Sequence, residues 1–170
     1  MFQKLFKLIE GAKTSSWGLR KLNFALGLTI PFNKPHGIVI QSISDNEVTT
    51  FIPYKRKNLN HIGGVHACGL ATVAEFASGI LILSRVDPTK YRIIMQTLQV
   101  DYSYQAKSDC TAHFSISEED LNNAILAPLT SNDAVMYTAT IILRDNQGTE
   151  VAQAQTTWQI KRWDKVKTKV

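Results

Sequence analysis

The sequence predicts an α+β fold in which an antiparallel sheet of about six strands curls around one long helix, with extra helices before the sheet. The helix is indicated by residues 65–84, which carry no Lys, Arg or Asp and a single Glu. The sheet is indicated by six segments of β-branched or alternating apolar and polar residues, two before this run and four after it. A flat sheet would leave part of so apolar a helix in water, and the sheet is therefore expected to curl.

Length and composition predict one globular domain over residues 1–170. The chain is short for two independent cores, and its 44% hydrophobic and 19% charged residues argue against disorder. Cys68 and Cys110 stand far apart, so neither a disulfide framework nor a zinc site is expected. The N-terminus lacks the features of a signal or transit peptide, which favours a reducing, cytoplasmic setting.

Charge is distributed unevenly along the chain, whose formal net charge is +5. The first third and the last ten residues are basic, whereas the middle is acidic. Basic segments of this kind suit the anionic headgroup of a small molecule or an acidic surface. Since the longest Lys/Arg run is Lys55-Arg56-Lys57, nucleic acid is not expected as a partner.

Two helices are predicted ahead of the sheet. Residues 2–10 have apolar side chains at helical spacing, and this short amphipathic helix either packs on the domain or lies on a membrane surface. A second helical pattern covers residues 17–26 and ends near Gly27, ahead of two prolines. The predicted division is a helical extension over residues 1–35, a core over residues 36–160 and a basic tail over residues 161–170.

The strands follow from residue alternation and turn signals. Within the third strand, Leu98, Val100 and Tyr102 are predicted to face the core, with Gln99 and Asp101 facing away. A short helix after Ser117 is expected to end before Pro128. The predicted strands are residues 38–44, 47–53, 91–105, 110–116, 134–144 and 149–160.

The run over residues 65–84 is long enough to span a bilayer. Glu75, His66 and two glycines inside it argue instead for a buried helix, so no transmembrane segment is expected. An antiparallel sheet wrapped around such a central helix is the hotdog arrangement.

The segment from Asn60 to Glu75 joins polar groups to the apolar helix and is the best candidate for chemistry. A carboxylate in an uncharged run should be partly desolvated, which raises its pKa and suits Glu75 to act as a general base or nucleophile. The alternative is that Glu75 pairs with a basic side chain from elsewhere in the fold.

The start of the helix offers hydrogen-bond donors. Gly63 and Gly64 permit a tight turn into it, and the first free N–H groups can hold an oxyanion. Asn60 and His66 either add side-chain donors or merely cap the loop and the helix. Glu75 lies nine residues beyond His66, on the opposite side of the helix, so a site that uses both would need a second subunit.

The pattern of Asn60, His66 and Glu75, followed by a small-residue helix and the strand segment Val100-Asp101-Tyr102, resembles the PaaI-like hotdog thioesterases. The resemblance is greatest to an uncharacterised branch of that superfamily. It implies that Glu75 attacks the thioester or activates water, that the Ala67 N–H binds the oxyanion, and that Asn60 and His66 assist.

The same resemblance implies a water-orienting Ser or Thr near residues 95–97, for which Thr97 is the candidate. Family members often carry Gly where this chain has Ala67. The basic residues Lys55, Arg56 and Lys57 either contact the phosphates of coenzyme A or form a solvated loop.

The resemblance therefore implies an acyl-CoA thioesterase that acts as a homodimer, with pairing of dimers into a homotetramer left open. Its expected partner is an acyl-CoA or related thioester, with coenzyme A as part of the substrate and no further cofactor or metal. Cys68, beside His66, is a weaker candidate for a thiol nucleophile. The alternative from another class is a non-catalytic acyl-binding or assembly module with the same fold.

Overall fold

The computed structural model describes residues 2–167. Six antiparallel strands form one sheet in the order β1-β2-β4-β5-β6-β3, and a single long helix, α4, contacts five of them. The strands are β1 (Val39–Ile43), β2 (Glu47–Ile52), β3 (Tyr91–Tyr102), β4 (Cys110–Ser115), β5 (Ala134–Asp145) and β6 (Glu150–Arg162). The helices are α1 (Phe2–Thr14), α2 (Ser16–Thr29), α3 (Asn33–His36), α4 (Ala67–Arg85), α5 (Glu118–Leu121) and α6 (Ala127–Ser131). This is the hotdog arrangement predicted from the sequence.

Helix α4 is the centre of the core. Val73, Ala74, Ala77 and Leu81 are fully buried on its sheet-facing side. Within residues 2–167 it is the one helix long and apolar enough to cross a membrane, but over half of its most apolar window is buried inside the fold. Since the core helix of a soluble protein has the same length and composition, α4 gives no support for a membrane span.

The two edges of the sheet differ. At the β1 edge, the Asn23 side chain of α2 donates to the Ile40 carbonyl and accepts from the Ile40 N–H, both at 2.8 Å. Helix α2 thus covers this edge and satisfies the backbone groups of Ile40. At the other edge, β3 pairs with β6 alone among the described residues. Its outer row of N–H and C=O groups therefore stays open over twelve residues.

Helices α1 and α2 form a hairpin that contacts β1. Their backbones approach so closely that any side chain at Gly18 would collide with the Gly11 carbonyl. Ile9 and Ala12 of α1 are buried, so the packing alternative for the first helix is confirmed. Both helices extend a few residues beyond the predicted ends, and Gly27 lies inside α2.

Three further predicted boundaries differ from the structure by two residues or more. Strand β3 ends at Tyr102, and β6 continues into the predicted basic tail as far as Arg162. The helical segment after Ser117 passes Pro128, through one π-helical turn over Asn122–Leu126, and ends at Ser131. Pro128 is tolerated because it lies in the first turn of α6, where a missing N–H costs little. Residues 168–170 of the tail lie outside the described residues.

Candidate active site

Two cavities adjoin α4, and each contains one half of the chemistry predicted from the sequence. The larger, of about 900 Å³, is lined on one side by Glu75 and its neighbours on α4. Helices α1 and α2 form another wall, and β3 and Trp158 of β6 close the third. Most of its lining is aliphatic or aromatic, including Leu5, Leu8, Leu26, Phe76, Ile80, Leu83, Ile93, Met95 and Leu98.

Glu75 is an unpaired carboxylate in this apolar cavity. Among residues 2–167, no side chain or backbone N–H donates a hydrogen bond to it, and no cation forms a salt bridge with it. Burial raises the pKa of the Glu75 carboxyl above its ordinary value, and no other cause contributes. The desolvation expected from the sequence is therefore present, and the alternative of a structural ion pair is not met within the described chain.

Trp158 of β6 packs against α4 at Gly79, one helical turn beyond Glu75. Gly79 permits this contact, because a Cβ at that position would lie 2.8 Å from the indole ring. The Trp158 Nε1–H donates to Ser78 Oγ and Thr156 Oγ1, both at 3.0 Å, so the buried indole has its polar group satisfied. Sequence reasoning missed this wall, although Ala154, Thr156, Trp158 and Ile160 alternate at a strand period that marks a core face.

The smaller cavity, of about 330 Å³, lies at the N-terminus of α4. Asn60, Ala67 and Tyr102 are among the residues that line it. The Tyr102 hydroxyl donates to the Ala67 carbonyl at 2.9 Å and so fixes the end of β3 against the start of the helix. Leu98 and Val100 of the same strand pack on the core, as predicted, whereas Tyr102 at the strand end is exposed, which corrects its assignment to the core.

The first turn of α4 leaves one backbone donor free. The Cys68 N–H donates to His66 Nδ1 at 3.1 Å, and the N–H groups of Gly69 and Leu70 donate to the His66 carbonyl. The Ala67 N–H has no partner within residues 2–167. It is thus the donor of the first turn that is available to an external oxygen.

His66 and Asn60 cap local structure and still retain donors. His66 Nδ1 accepts from the backbone, so the ring proton lies on Nε2, on an exposed side chain. Asn60 Oδ1 accepts from the N–H groups of Ile62 and Gly64, at 3.1 and 3.0 Å. The Asn60 NH₂ group has no partner in the described chain, and Asn60 lines the smaller cavity together with Ala67.

Thr97 does not lie beside Glu75, which corrects the expectation from the resemblance. The pairing of β3 with β6 shifts at Gln96, and this β-bulge places Met95 and Leu98 in the large cavity. Thr97 is exposed on the opposite face of the sheet, next to Thr157. It therefore cannot orient a water molecule at Glu75 of its own chain.

The basic candidates lie outside both cavities, whereas Cys68 lines one of them. Arg56 and Lys57 are exposed and Lys55 is half-buried, and none of the three lines either cavity. Cys68 is exposed and lines the large cavity, whereas burial raises the pKa of the Cys110 thiol to about 12. Between residues 2 and 167, no three His, Cys, Asp or Glu side chains are close enough to hold a metal ion.

The two halves of the site are separated within one chain. Glu75 lies eight residues after Ala67, which is roughly 12 Å along the helix axis. Glu75 lines the large cavity, whereas Ala67 lines the small one. One subunit alone does not present both groups to a single small ligand.

The structure thus defines the class of this protein: a hotdog-fold protein whose central helix carries a desolvated carboxylate and a free amide. A family model described as a domain of unknown function (DUF4442) matches residues 18–160, and the chain belongs to that family. The expected membership of an uncharacterised family is thereby confirmed, and solved structures confirm the expected fold. None of the curated proteins matches the sequence.

Solved structures share the fold at low sequence identity. One is a Pseudomonas aeruginosa protein of unknown function named a probable thioesterase; it is 23% identical with a TM-score of 0.76, over 82% of this chain and 93% of that one. A mutant thioesterase from the same organism is 15% identical with a TM-score of 0.68, over 89% and 99%. A Haemophilus influenzae thioesterase is 13% identical with a TM-score of 0.69, over 92% and 98%.

Proposed function

We propose that this protein is an acyl-CoA thioesterase that acts as a homodimer in the cytoplasm. The observation that carries the proposal is the unpaired Glu75 carboxylate in a large apolar cavity. An ionisable group kept without a partner in such surroundings costs stability, and this cost is typical of catalytic acids and bases. Two structural relatives are named a probable thioesterase and a thioesterase, which agrees with this reaction class.

The large cavity suits an acyl chain. Its volume of about 900 Å³ is near the upper end of the range of small-molecule sites, ~300–1,000 Å³. Each methylene transferred from water to such a lining gains about 0.8 kcal/mol, so long chains should bind best. Glu75 is the carboxylate at the wall and would meet the thioester at the polar end of the chain.

The open β3 edge supports a two-fold dimer. An uncovered edge of twelve residues invites pairing with an identical edge, and a two-fold axis makes that pairing antiparallel. Helix α4 starts beside Tyr102, at the end of β3, and the axis would reverse its direction in the partner. The amide end of one α4 then moves toward Glu75 of the other subunit, and two equivalent composite sites result.

Hydrolysis would proceed through a tetrahedral intermediate. Ionised Glu75 takes a proton from water while the water oxygen bonds to the thioester carbon, or attacks that carbon itself to give an anhydride that water then opens. The negative oxygen is held by the Ala67 N–H, with the Asn60 NH₂ group and His66 Nε2–H nearby. The C–S bond then breaks, and the thiolate takes the proton held by Glu75 in the first route or one from water in the second, where this bond breakage is what leaves the anhydride for water to open. Lys55, Arg56 and Lys57 are candidates for the coenzyme A phosphates.

The test is a series of acyl-CoA esters assayed by release of free thiol. We expect turnover by the wild type, and a loss of roughly 10²–10⁴ in kcat in Glu75→Gln. Glu119→Gln is the matched control, because Glu119 is an exposed carboxylate on α5, and it should retain full activity. Wild-type turnover by Glu75→Gln would refute the assignment of Glu75.

A non-catalytic acyl-binding module is the second candidate. It is favoured because no side chain within residues 2–167 hydrogen-bonds to Glu75. None is therefore placed to help hold a water molecule beside the carboxylate. This function predicts that long-chain acyl-CoA raises the melting temperature without releasing thiol at any chain length.

A further inference from the structure

The solvent-facing side of α2 is apolar and basic, contrary to the usual pattern for a surface helix. Trp17, Phe24 and Leu28 lie at helical spacing along it, and Phe32 follows just after the helix ends. Their exposed fractions are 62%, 72%, 60% and 61%. Exposed apolar residues scattered singly are ordinary, but three on one helix face with a fourth just beyond its end mark a contact surface.

The same region concentrates the positive charge of the chain. Residues 1–36 contain six Lys or Arg and one acid, Glu10, which pairs with Lys13 at 2.6 Å. The other five bases, Lys4, Lys7, Arg20, Lys21 and Lys34, form no salt bridge with any residue from 2 to 167. Lys21 lies over the Trp17 ring, with its Nζ 5.3 Å from the ring centre, so cation and aromatic share one face.

This surface also adjoins the large cavity. Phe32 belongs to both, and Lys4 and Thr29 line the cavity from the same two helices. The opposite side of α2 is anchored to β1 through Asn23, so the apolar and basic side points away from the sheet.

We infer that the exposed face of α2 binds the surface of an anionic lipid bilayer. Exposed aromatic and aliphatic side chains would enter the interface while Arg20, Lys21 and the neighbouring lysines meet anionic headgroups. A second copy of the chain fits less well, because the same face on both subunits would place basic groups against each other. Binding in this orientation presents the cavity to the layer in which long acyl chains accumulate. The inference concerns binding alone and stands apart from the proposed activity.

Flotation of the full chain with vesicles tests the inference. Vesicles of equal parts phosphatidylglycerol and phosphatidylcholine should bind at least about tenfold more protein than phosphatidylcholine alone, and salt near ~0.5 M should abolish the difference. On binding, the emission of Trp17 should shift to the blue, a shift absent in Trp17→Phe. Equal binding to both vesicle types, or none, overturns the inference.

Variants separate this surface from the active site. Phe24→Ser with Leu28→Ser should lower vesicle binding about tenfold, while Met136→Ser, at an exposed position on the sheet, should not. Neither Phe24 nor Leu28 lines the cavity, so hydrolysis of a short, soluble acyl-CoA should be unchanged. A wild type that binds vesicles but releases no thiol refutes the thioesterase proposal and supports the surface. A fall in molar mass of the double variant would show that a second copy covers α2 and would overturn the inference.

Discussion

Replacement of Ala67 by proline removes the proposed oxyanion donor and little else. Ala67 is the first residue of α4, a position where proline is favoured because its N–H has no helical partner. The preceding residue must adopt an extended conformation before proline, and His66 already has φ −63° and ψ 137°. Ala67 is exposed and lines the 330 Å³ cavity, so the position has room for the added ring.

The expected effect of Ala67→Pro on stability is small, whereas its expected effect on catalysis is large. The Ala67 N–H makes no hydrogen bond within residues 2–167, so none is lost, and the unfolding free energy should stay constant or rise by ~0.4–1 kcal/mol. Loss of one oxyanion donor should lower kcat by roughly 10²–10³, or ~2.7–4 kcal/mol in the barrier. Ala67→Ser keeps the N–H and is the matched control.

The assay combines thiol release with thermal unfolding. We expect Ala67→Pro to unfold at or above the wild-type temperature and to be nearly inactive, while Ala67→Ser retains activity. A stable Ala67→Pro protein with wild-type kcat would show that this N–H takes no part in the reaction.

Further predictions concern Glu75 and the cavity wall. The raised pKa of Glu75 means that its contribution to stability is fully present below the pKa of an unfolded glutamate and is lost as pH rises through the folded pKa. Glu75→Gln should therefore have the same melting temperature as the wild type below about pH 4 and a higher one at pH ~8, which calorimetry checks. Equal melting temperatures of the two proteins at both pH values would contradict this. Since ionised Glu75 is the base, the acid limb of kcat against pH should lie above the ordinary glutamate range; a limb within that range would implicate another group. Leu8→Trp narrows the cavity, and each methylene group of the acyl chain that is thereby excluded should lower kcat/KM for long chains about fourfold. Lys7→Trp, at an exposed position on the same helix, is the control. An unchanged chain-length profile in Leu8→Trp would show that the acyl chain binds elsewhere.

The sequence was sufficient for the elements that depend on local pattern. The uncharged run around Glu75 indicated the buried helix, and residue alternation indicated all six strands. The free amide at the helix start followed from the geometry of any helix N-terminus, and the structure identifies Ala67 as the residue that supplies it.

Features that depend on tertiary pairing were not predictable. The β-bulge at Gln96 has no local signature in the sequence. Because of it, the residues before Gln96 face the side opposite to the one that strict alternation from Leu98 would predict. The bulge brings Met95 to the cavity, whereas Thr97 was assigned there by resemblance alone, although its alternation with Leu98 indicates the opposite face. The role of α1 and α2 was missed for a similar reason, since only the closed fold brings Leu5 and Leu8 to the wall opposite Glu75.

A mixed dimer tests most directly whether the site is shared between subunits. Ala67→Pro and Glu75→Gln each disable one half of the site, so each homodimer should be inactive. If they are unfolded together and refolded in equal amounts, about half of the dimers are mixed, and each mixed dimer has one site with both halves intact. The account predicts recovery of about a quarter of wild-type activity. No recovery, from a mixture shown to contain mixed dimers, would contradict a site built from two chains.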